Sequence, residues 1–435
     1  MPRPLRALVA AVFAALVLAT AAPTGASQPS APSQPSAPLT FVPAEPTGRY
    51  EIGRTTLHLV DGDRRDPWQP DRDRELMATV TYPARRVDGF PRGRWFSAPV
   101  VAEFEVAATQ PPFNLAPGSV DLAGASAHAH VGAPVARPPE RPSDGWPVVV
   151  FSPGFNTHRE QNTAHVEDLA SRGYVVVSMD HTFEVAVEFP GGRVVPRAPE
   201  IDSDDPAVGA VVLRRAIDAR VADTRFVLDE LAELDRGRNP DAEHIRLPVG
   251  LRRRLDLDHV GMFGFSYGGY TAAETMFFDR RIDAGINLDG TMEHGQGTIE
   301  TSPYLPGQSV QHGLDRPFLL FGQPGHDHLN LEPDSTDQSW IDFWSNQRGP
   351  KLDLTLLGVK HSGFSDLQTL IAQVAEAFDL PAEGIEELIG TIDPDRSIAA
   401  QRAYIAAFFD LHVRHRDTHL LDGPSPAFPE VQFIP

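Results

Sequence analysis

Six short runs of apolar, largely β-branched residues, at 147–151, 174–178, 259–263, 284–288, 318–321 and 352–357, are interspersed with longer stretches of helical spacing at 161–172, 211–234, 270–278 and 399–412. Runs that are apolar throughout, rather than at every second residue, suit strands covered on both faces, which is how parallel strands are buried. This alternation predicts an α/β fold: a doubly wound, mostly parallel sheet with helices on both faces. An earlier stretch, 53–82, alternates like an antiparallel pair and suits the leading edge of such a sheet. Two regions break the rhythm: 85–145, rich in Pro, Gly and Ala, and 364–396, helical and partly apolar. Both are expected to be insertions into a single domain at 46–435 and are candidate lids, with ordinary surface covering the plainer reading of each.

Gly264-Phe265-Ser266-Tyr267-Gly268 stands between a strand-like run and a helix-like one. The spacing alone is weak, but the placement is that of a nucleophile elbow, a tight strand-to-helix turn that lifts a serine hydroxyl over the carboxyl edge of a sheet. Gly264 and Gly268 fall where a Cβ would strike neighbouring backbone. The expected architecture is therefore the α/β-hydrolase fold, with Ser266 as nucleophile. A tetrahedral intermediate then needs two backbone N–H donors, one from the residue after the nucleophile and one from a loop after an earlier strand. Tyr267 supplies the first; Phe155, in Ser152-Pro153-Gly154-Phe155-Asn156, is chosen for the second.

In this fold the acid and then the histidine follow the nucleophile along the chain. His361 heads a loop after 352–357, and no other histidine beyond Ser266 stands so well after a last core strand. The common arrangement puts the carboxylate after the preceding strand, which points to Asp327 in Gly325-His326-Asp327-His328. The His-x-His spacing there lacks a third spaced ligand and is weak as a metal site. Serine chemistry needs no metal, and no cofactor is expected. Asp180-His181 precedes Ser266 and is excluded from a triad by chain order, leaving a structural or substrate-lining role. His158 and His165, seven apart, are expected to share a surface face of a helix.

The chain resembles the platelet-activating-factor acetylhydrolase family of phospholipase A2-like esterases in blocks spread over most of its length. These are Pro46-Thr47-Gly48, Thr56 to Asp61, Arg74-Glu75-Leu76-Met77 with Tyr82-Pro83-Ala84, Val148 to Gly154, Gly264 to Gly269, Asn287-Leu288-Asp289-Gly290, His361 to Asp366, and Tyr404 to Leu411 with Leu420-Leu421-Asp422-Gly423. The resemblance implies a carboxylic ester hydrolase acting on short or oxidised acyl chains of phospholipids. It also implies His361 as base, through a His-x-x-Phe-x-Asp pattern on His361, Phe364 and Asp366, and it places the acid one strand earlier, at Asp289. Asp289 is the preferred acid and Asp327 the alternative.

Arg3 and Arg6, an apolar run from Ala7 to Ala19 and small residues up to Ala26 read as a secretory signal peptide at 1–26. Residues 27–45, with their repeated Gln-Pro-Ser-Ala-Pro, read as a disordered tether. An exported, secreted protein is expected. It has no cysteine, so neither disulfides nor a lipoprotein anchor are available. A net charge of −21 argues against nucleic acid as a partner, and Arg252-Arg253-Arg254 reads as a solvated turn. The expected partner is a small-molecule ester or phospholipid, with at most transient contact with lipid surfaces. The competing readings are a broad-specificity lipase or cutinase-like polyester hydrolase, a peptidase, and a non-catalytic binding protein on the same fold.

Overall fold

The computed structural model describes residues 37–139, 145–202, 206–295, 304–329 and 337–435. The expected signal peptide and residues 27–36 of the expected tether lie outside them. In chain order the strands are β1 (Leu39–Thr40), β2 (Ile52–Arg65), β3 (Asp73–Pro83), β4 (Arg92–Arg94), β5 (Val120–Asp121), β6 (Ser126–Val131), β7 (Trp146–Ser152), β8 (Val175–Met179), β9 (Val187–Phe189), β10 (Arg193–Val195), β11 (Leu255–Phe265), β12 (Ala284–Leu288), β13 (Phe318–Gly322), β14 (Lys351–Leu356) and β15 (Val431–Phe433). Eleven of them form one sheet in the order β15-β14-β13-β12-β11-β7-β8-β3-β2-β6-β4. The six strands from β14 to β8 are mutually parallel, whereas β15, β3 and β2 each pair antiparallel.

The continuous apolar runs have the cause expected of them. Val148, Val149, Val150 and Phe151 on β7 are all fully buried, because helices cover both faces. On one face the helices Pro206–Asp235, Tyr267–Phe278 and Gln338–Asn346 contribute Leu228, Met276 and Phe343 to a core shared with Val148 and Val150. On the other, Thr163–Ser171 and Pro394–His412 bring Val166, Tyr404 and Phe409 against Val149 and Phe151. Each such side chain contributes about 1.5–3 kcal/mol by leaving water. The fold is thus the expected α/β-hydrolase sheet. One detail differs: β2 and β3 are not its leading edge, because β6 and β4, from within 85–145, extend the sheet past β2.

The two irregular regions meet each other. Trp95, Phe96, Phe104 and Leu122 from the first pack with Leu367, Leu370, Ile371 and Phe378 from the second in a third core of their own. The helices involved are Ala98–Ala108, Leu367–Phe378 and Ala382–Ile389. This core also corrects the tether expected over 27–45, whose last residues are packed. β1 pairs with β5, Phe41 is 2% exposed with its ring 5.8 Å from that of Trp95, and Val42 exchanges two backbone hydrogen bonds with the Gln373 amide. Arg402 donates to the Glu45 and Ala44 carbonyls. The cause is local: after Pro38 the composition changes from Ser, Gln and Pro to Leu39, Phe41 and Val42, which have apolar surface to bury.

Phe41→Ala is expected to lower stability by about 3 kcal/mol, the usual effect of emptying a buried aromatic site. Urea unfolding measures it, and a loss below about 1 kcal/mol would mean that the third core does not depend on this segment.

Candidate active site

β11 ends at Phe265, and Ser266 follows with φ 54° and ψ −125° before the helix Tyr267–Phe278 begins. That backbone region is unfavourable for a residue with a Cβ and persists only where its surroundings over-determine it. Here the surroundings do so by contact. A Cβ on Gly264 would lie 2.1 Å from the Gly268 carbonyl, and one on Gly268 would lie 1.9 Å from the Ser152 carbonyl oxygen. The turn thus closes on itself and against the end of β7 with no space for side chains. The Ser266 N–H donates to the Leu288 carbonyl at 2.8 Å, which ties the turn to β12 as well.

His361 begins a 3₁₀ turn, His361–Phe364, shortly after β14. Its Nε2 is 3.0 Å from Ser266 Oγ, and its Nδ1 is 2.5 Å from Asp289 Oδ2. Asp289 lies directly beyond β12 with φ 57°. The turn that carries it is closed by Asn287, whose side chain bonds both the N–H and the carbonyl of Gly290. A Cβ on Gly290 would stand 1.9 Å from the Ser266 carbonyl oxygen, so the turn that carries Asp289 is fitted against the one that carries Ser266. Of the two aspartates weighed from the sequence, Asp289 reaches His361, while the Asp327 carboxylate accepts the Leu329 N–H at 2.9 Å.

The loop bearing Asp327 joins the site through its neighbour. His326 donates Nδ1–H to Asp289 Oδ1 at 2.8 Å and Nε2–H to Asp337 Oδ2 at 2.7 Å, with its ring stacked on Trp340 at 4.1 Å. Asp289 therefore accepts from two imidazoles, one on each oxygen, and from the Gln323 N–H. Burial disfavours its charge, yet His326 and His361 hold its carboxyl well below the ordinary carboxylate range. Burial likewise pulls on His326, but Asp289 and Asp337 push its pKa up to about 10. His326 is not among the site residues expected from the sequence; the signal for it was its place one step from Asp327, which the generic rule selects. His328 turns away to Asp353 and stacks on Trp344, so the His-x-His pair does not converge. Among the described residues, three metal-type ligands come together only at exposed Asp417, His419 and Asp422 near the C-terminus.

The loop after β7 lies against the elbow, with the position of a Cβ on Gly154 only 3.3 Å from Ser266 Cβ. The Phe155 and Tyr267 rings meet edge to face at 5.7 Å. Among the described residues, neither backbone N–H donates to a protein acceptor, so both remain available at the elbow. Behind the loop, Asp180 pairs with buried Arg159 and accepts its N–H, while His181 bridges Ser152 Oγ and Asp223, each at 2.9 Å. This second Ser-His-Asp arrangement is at most 1% exposed, and burial pulls the imidazole pKa down. It is sealed inside the protein, the structural one of the two roles weighed for Asp180-His181.

His158 and His165 correct an expectation: neither is on a surface face. His158 precedes a 3₁₀ turn, Arg159–Asn162, and meets Glu103 of the first insertion at 3.0 Å, while His165 is enclosed by Asn162 and Gln401. The break between the 3₁₀ turn and the following helix upsets the assumed spacing. Asp366, from the second insertion, accepts the Thr163 and Ala164 N–H groups at the start of that helix. Both irregular regions are thereby moored to the segment that follows the loop after β7.

Because the folded-state pKa of His326 is raised, its ion pairs stabilise the fold fully below the unfolded value of about 6.5 and lose that effect as pH rises through about 10. His326→Gln is accordingly expected to cost on the order of 3 kcal/mol at pH 6 and much less at pH 10.5. Urea titrations at the two pH values measure the difference; a pH-independent cost would contradict the assigned charge.

The platelet-activating factor acetylhydrolase, isoform II, family pattern matches residues 122–296, from β6 past the elbow and Asp289. A probable 1-alkyl-2-acetylglycerophosphocholine esterase of Arthroderma benhamiae is 29% identical over 420 residues, covering 91% of this chain and 94% of that one. The platelet-activating factor acetylhydrolase of Canis lupus familiaris is 27% identical over 168 residues, 35% of this chain and 37% of that one. Among solved structures, a ferulic acid esterase from Streptomyces cinnamoneus superimposes with a TM-score of 0.69 at 35% identity, covering 92% of this chain and all of that one. With an α/β-hydrolase sheet and a serine at its elbow, the chain is a carboxylic ester hydrolase and belongs to the platelet-activating-factor acetylhydrolase-like family.

Proposed function

We propose that the chain is a secreted serine esterase in which Ser266, His361 and Asp289 act as a triad and the N–H groups of Phe155 and Tyr267 receive the oxyanion. The observation that carries this reading is the relay of hydrogen bonds, Ser266 Oγ to His361 Nε2 at 3.0 Å and His361 Nδ1 to Asp289 at 2.5 Å. With Nδ1–H donated to a carboxylate, Nε2 is the free base. His361 takes the Ser266 proton as Oγ attacks the ester carbonyl carbon. The two backbone N–H groups stabilise the developing charge. His361 then returns the proton to the departing alkoxide, leaving the acyl group on Ser266, and water resolves it with His361 again as base.

For the substrate, the proposal is a short or oxidised acyl chain on a phospholipid-type alcohol, supported by relatives named as a probable 1-alkyl-2-acetylglycerophosphocholine esterase and a platelet-activating factor acetylhydrolase. A second reading, a hydroxycinnamate ester, is favoured by the similarity to a ferulic acid esterase over nearly the whole chain. A broad-specificity lipase or cutinase-like hydrolase would use the same triad. Export after removal of residues 1–26 is part of the proposal; N-terminal sequencing of protein recovered from the culture medium tests it, and an intact Met1 there would contradict it.

Wild type is expected to hydrolyse p-nitrophenyl acetate and 1-alkyl-2-acetylglycerophosphocholine, with kcat falling as the acyl chain lengthens to sixteen carbons. Ser266→Ala should lose on the order of 10⁶ in kcat and Asp289→Asn on the order of 10⁴, whereas Asp327→Asn stays within about threefold. Preference for methyl ferulate would select the second substrate reading. A wild-type enzyme inert on every ester would sink the triad proposal and favour a binding protein.

A further inference from the structure

Arg220, on the helix Pro206–Asp235, is 1% exposed and points at the back of the loop after β7. Its Nη2 donates to the Gly154 carbonyl at 2.9 Å, its Nη1 to the Pro153 carbonyl at 2.6 Å and, at 3.4 Å, to Ser152 Oγ. Nε and Nη2 hold the Glu184 carboxylate at 2.9 and 2.7 Å. The guanidinium also lies over the Tyr267 ring, 5.4 Å from its centroid, and the Tyr267 hydroxyl donates to the Leu213 carbonyl of the same helix.

We propose that Arg220, fixed by Glu184, is the positioning residue of the oxyanion hole, aligning and polarising the amide whose N–H belongs to Phe155. The inference rests on the reading of Phe155 and Tyr267 as oxyanion donors. The Gly154 carbonyl and the Phe155 N–H are two sides of one planar trans peptide and point in opposite directions. A cation that grips the carbonyl from behind therefore aims the N–H away from itself. Thr157 adds its N–H and hydroxyl to the same carbonyl, at 3.2 and 3.0 Å, which leaves the peptide no freedom to flip. A charge-assisted hydrogen bond to the carbonyl also withdraws density from the amide and strengthens its N–H as a donor, an effect magnified where water is excluded. The stacking on Tyr267 extends the same support to the residue that bears the second donor. A planar fork with several donors is required; a lysine reaches one carbonyl at a time.

The test compares wild type, Ser266→Ala, Arg220→Lys and the double variant Arg220→Met/Glu184→Met, which leaves neither charge buried without its partner. The readouts are circular dichroism, kcat and KM for p-nitrophenyl acetate, and inhibition by a trifluoromethyl ketone, whose adduct with the serine carries an oxyanion. In both Arg220 variants kcat is expected to fall by about 10- to 10³-fold with KM within about threefold, the double variant losing more. Affinity for the ketone should weaken in step with kcat/KM, a correlation that a purely structural role does not produce. A folded variant with wild-type kcat, or one whose kcat falls while ketone affinity holds, overturns the proposal. If the double variant does not fold, Arg220→Lys, which keeps the charge beside Glu184 and forfeits the fork, decides alone. Hydrolysis surviving in Ser266→Ala would instead overturn the triad reading, whereas an inactive Ser266→Ala beside an unimpaired Arg220→Lys removes only the role of Arg220.

Discussion

The backbone at Ser266 is strained, and it is held by three backbone segments that approach it more closely than any side chain permits. Gly268 abuts the carbonyl at the end of β7, Gly264 abuts Gly268, and Gly290 abuts the carbonyl of Ser266 itself. These contacts fuse the ends of β7, β11 and β12 into one rigid corner. The candidate oxyanion loop, nucleophile and acid each leave a different one of those strands, so their mutual geometry is set by the sheet rather than by loops. A methyl group at Gly268 or Gly290 would displace two of the groups at once, and one at Gly264 would force the elbow itself open.

Charge is arranged around that corner in two layers. In front, Asp289 lies between His361 and a protonated His326, a disposition that keeps the carboxylate ionised despite its burial. Behind the loop after β7 runs a buried chain of groups, from Arg74 and Asp223 through His181 and Ser152 to Arg220 and Glu184. Unpaired, any of these ions would be costly to bury. Paired, they define one arrangement for a loop that is otherwise only a turn of Pro and Gly.

The parallel strands are legible in the sequence because two-sided burial leaves short, mainly apolar runs, uninterrupted in Val148 to Phe151 and broken by single polar residues in β12 and β14. The elbow is legible because its sterics demand glycine at fixed positions. Asp289 was distinguishable from Asp327 only through the family resemblance, since both follow core strands and the deciding distance is three-dimensional. Arg220 was not legible, and His326 was marked only by its place beside Asp327: their partners lie 66 and 37 residues away along the chain, and local spacing does not reveal such contacts. Residues 27–45 and the His158/His165 pair depart from expectation for one reason: each spans a structural boundary, after Pro38 in the first and between the 3₁₀ turn and the helix in the second.

The third core has a consequence of a different sort. The two irregular regions share one set of apolar contacts with each other and with the Phe41 segment, and they are anchored to the segment beyond the β7 loop by Glu103–His158 and by Asp366. They constitute a roof with its own internal packing, set upon a chassis whose Ser266 corner is built from the sheet. A change in one half of the roof therefore bears directly on the packing of the other half. Transplanting one insertion alone between relatives would split a shared core and leave each half without its counterpart.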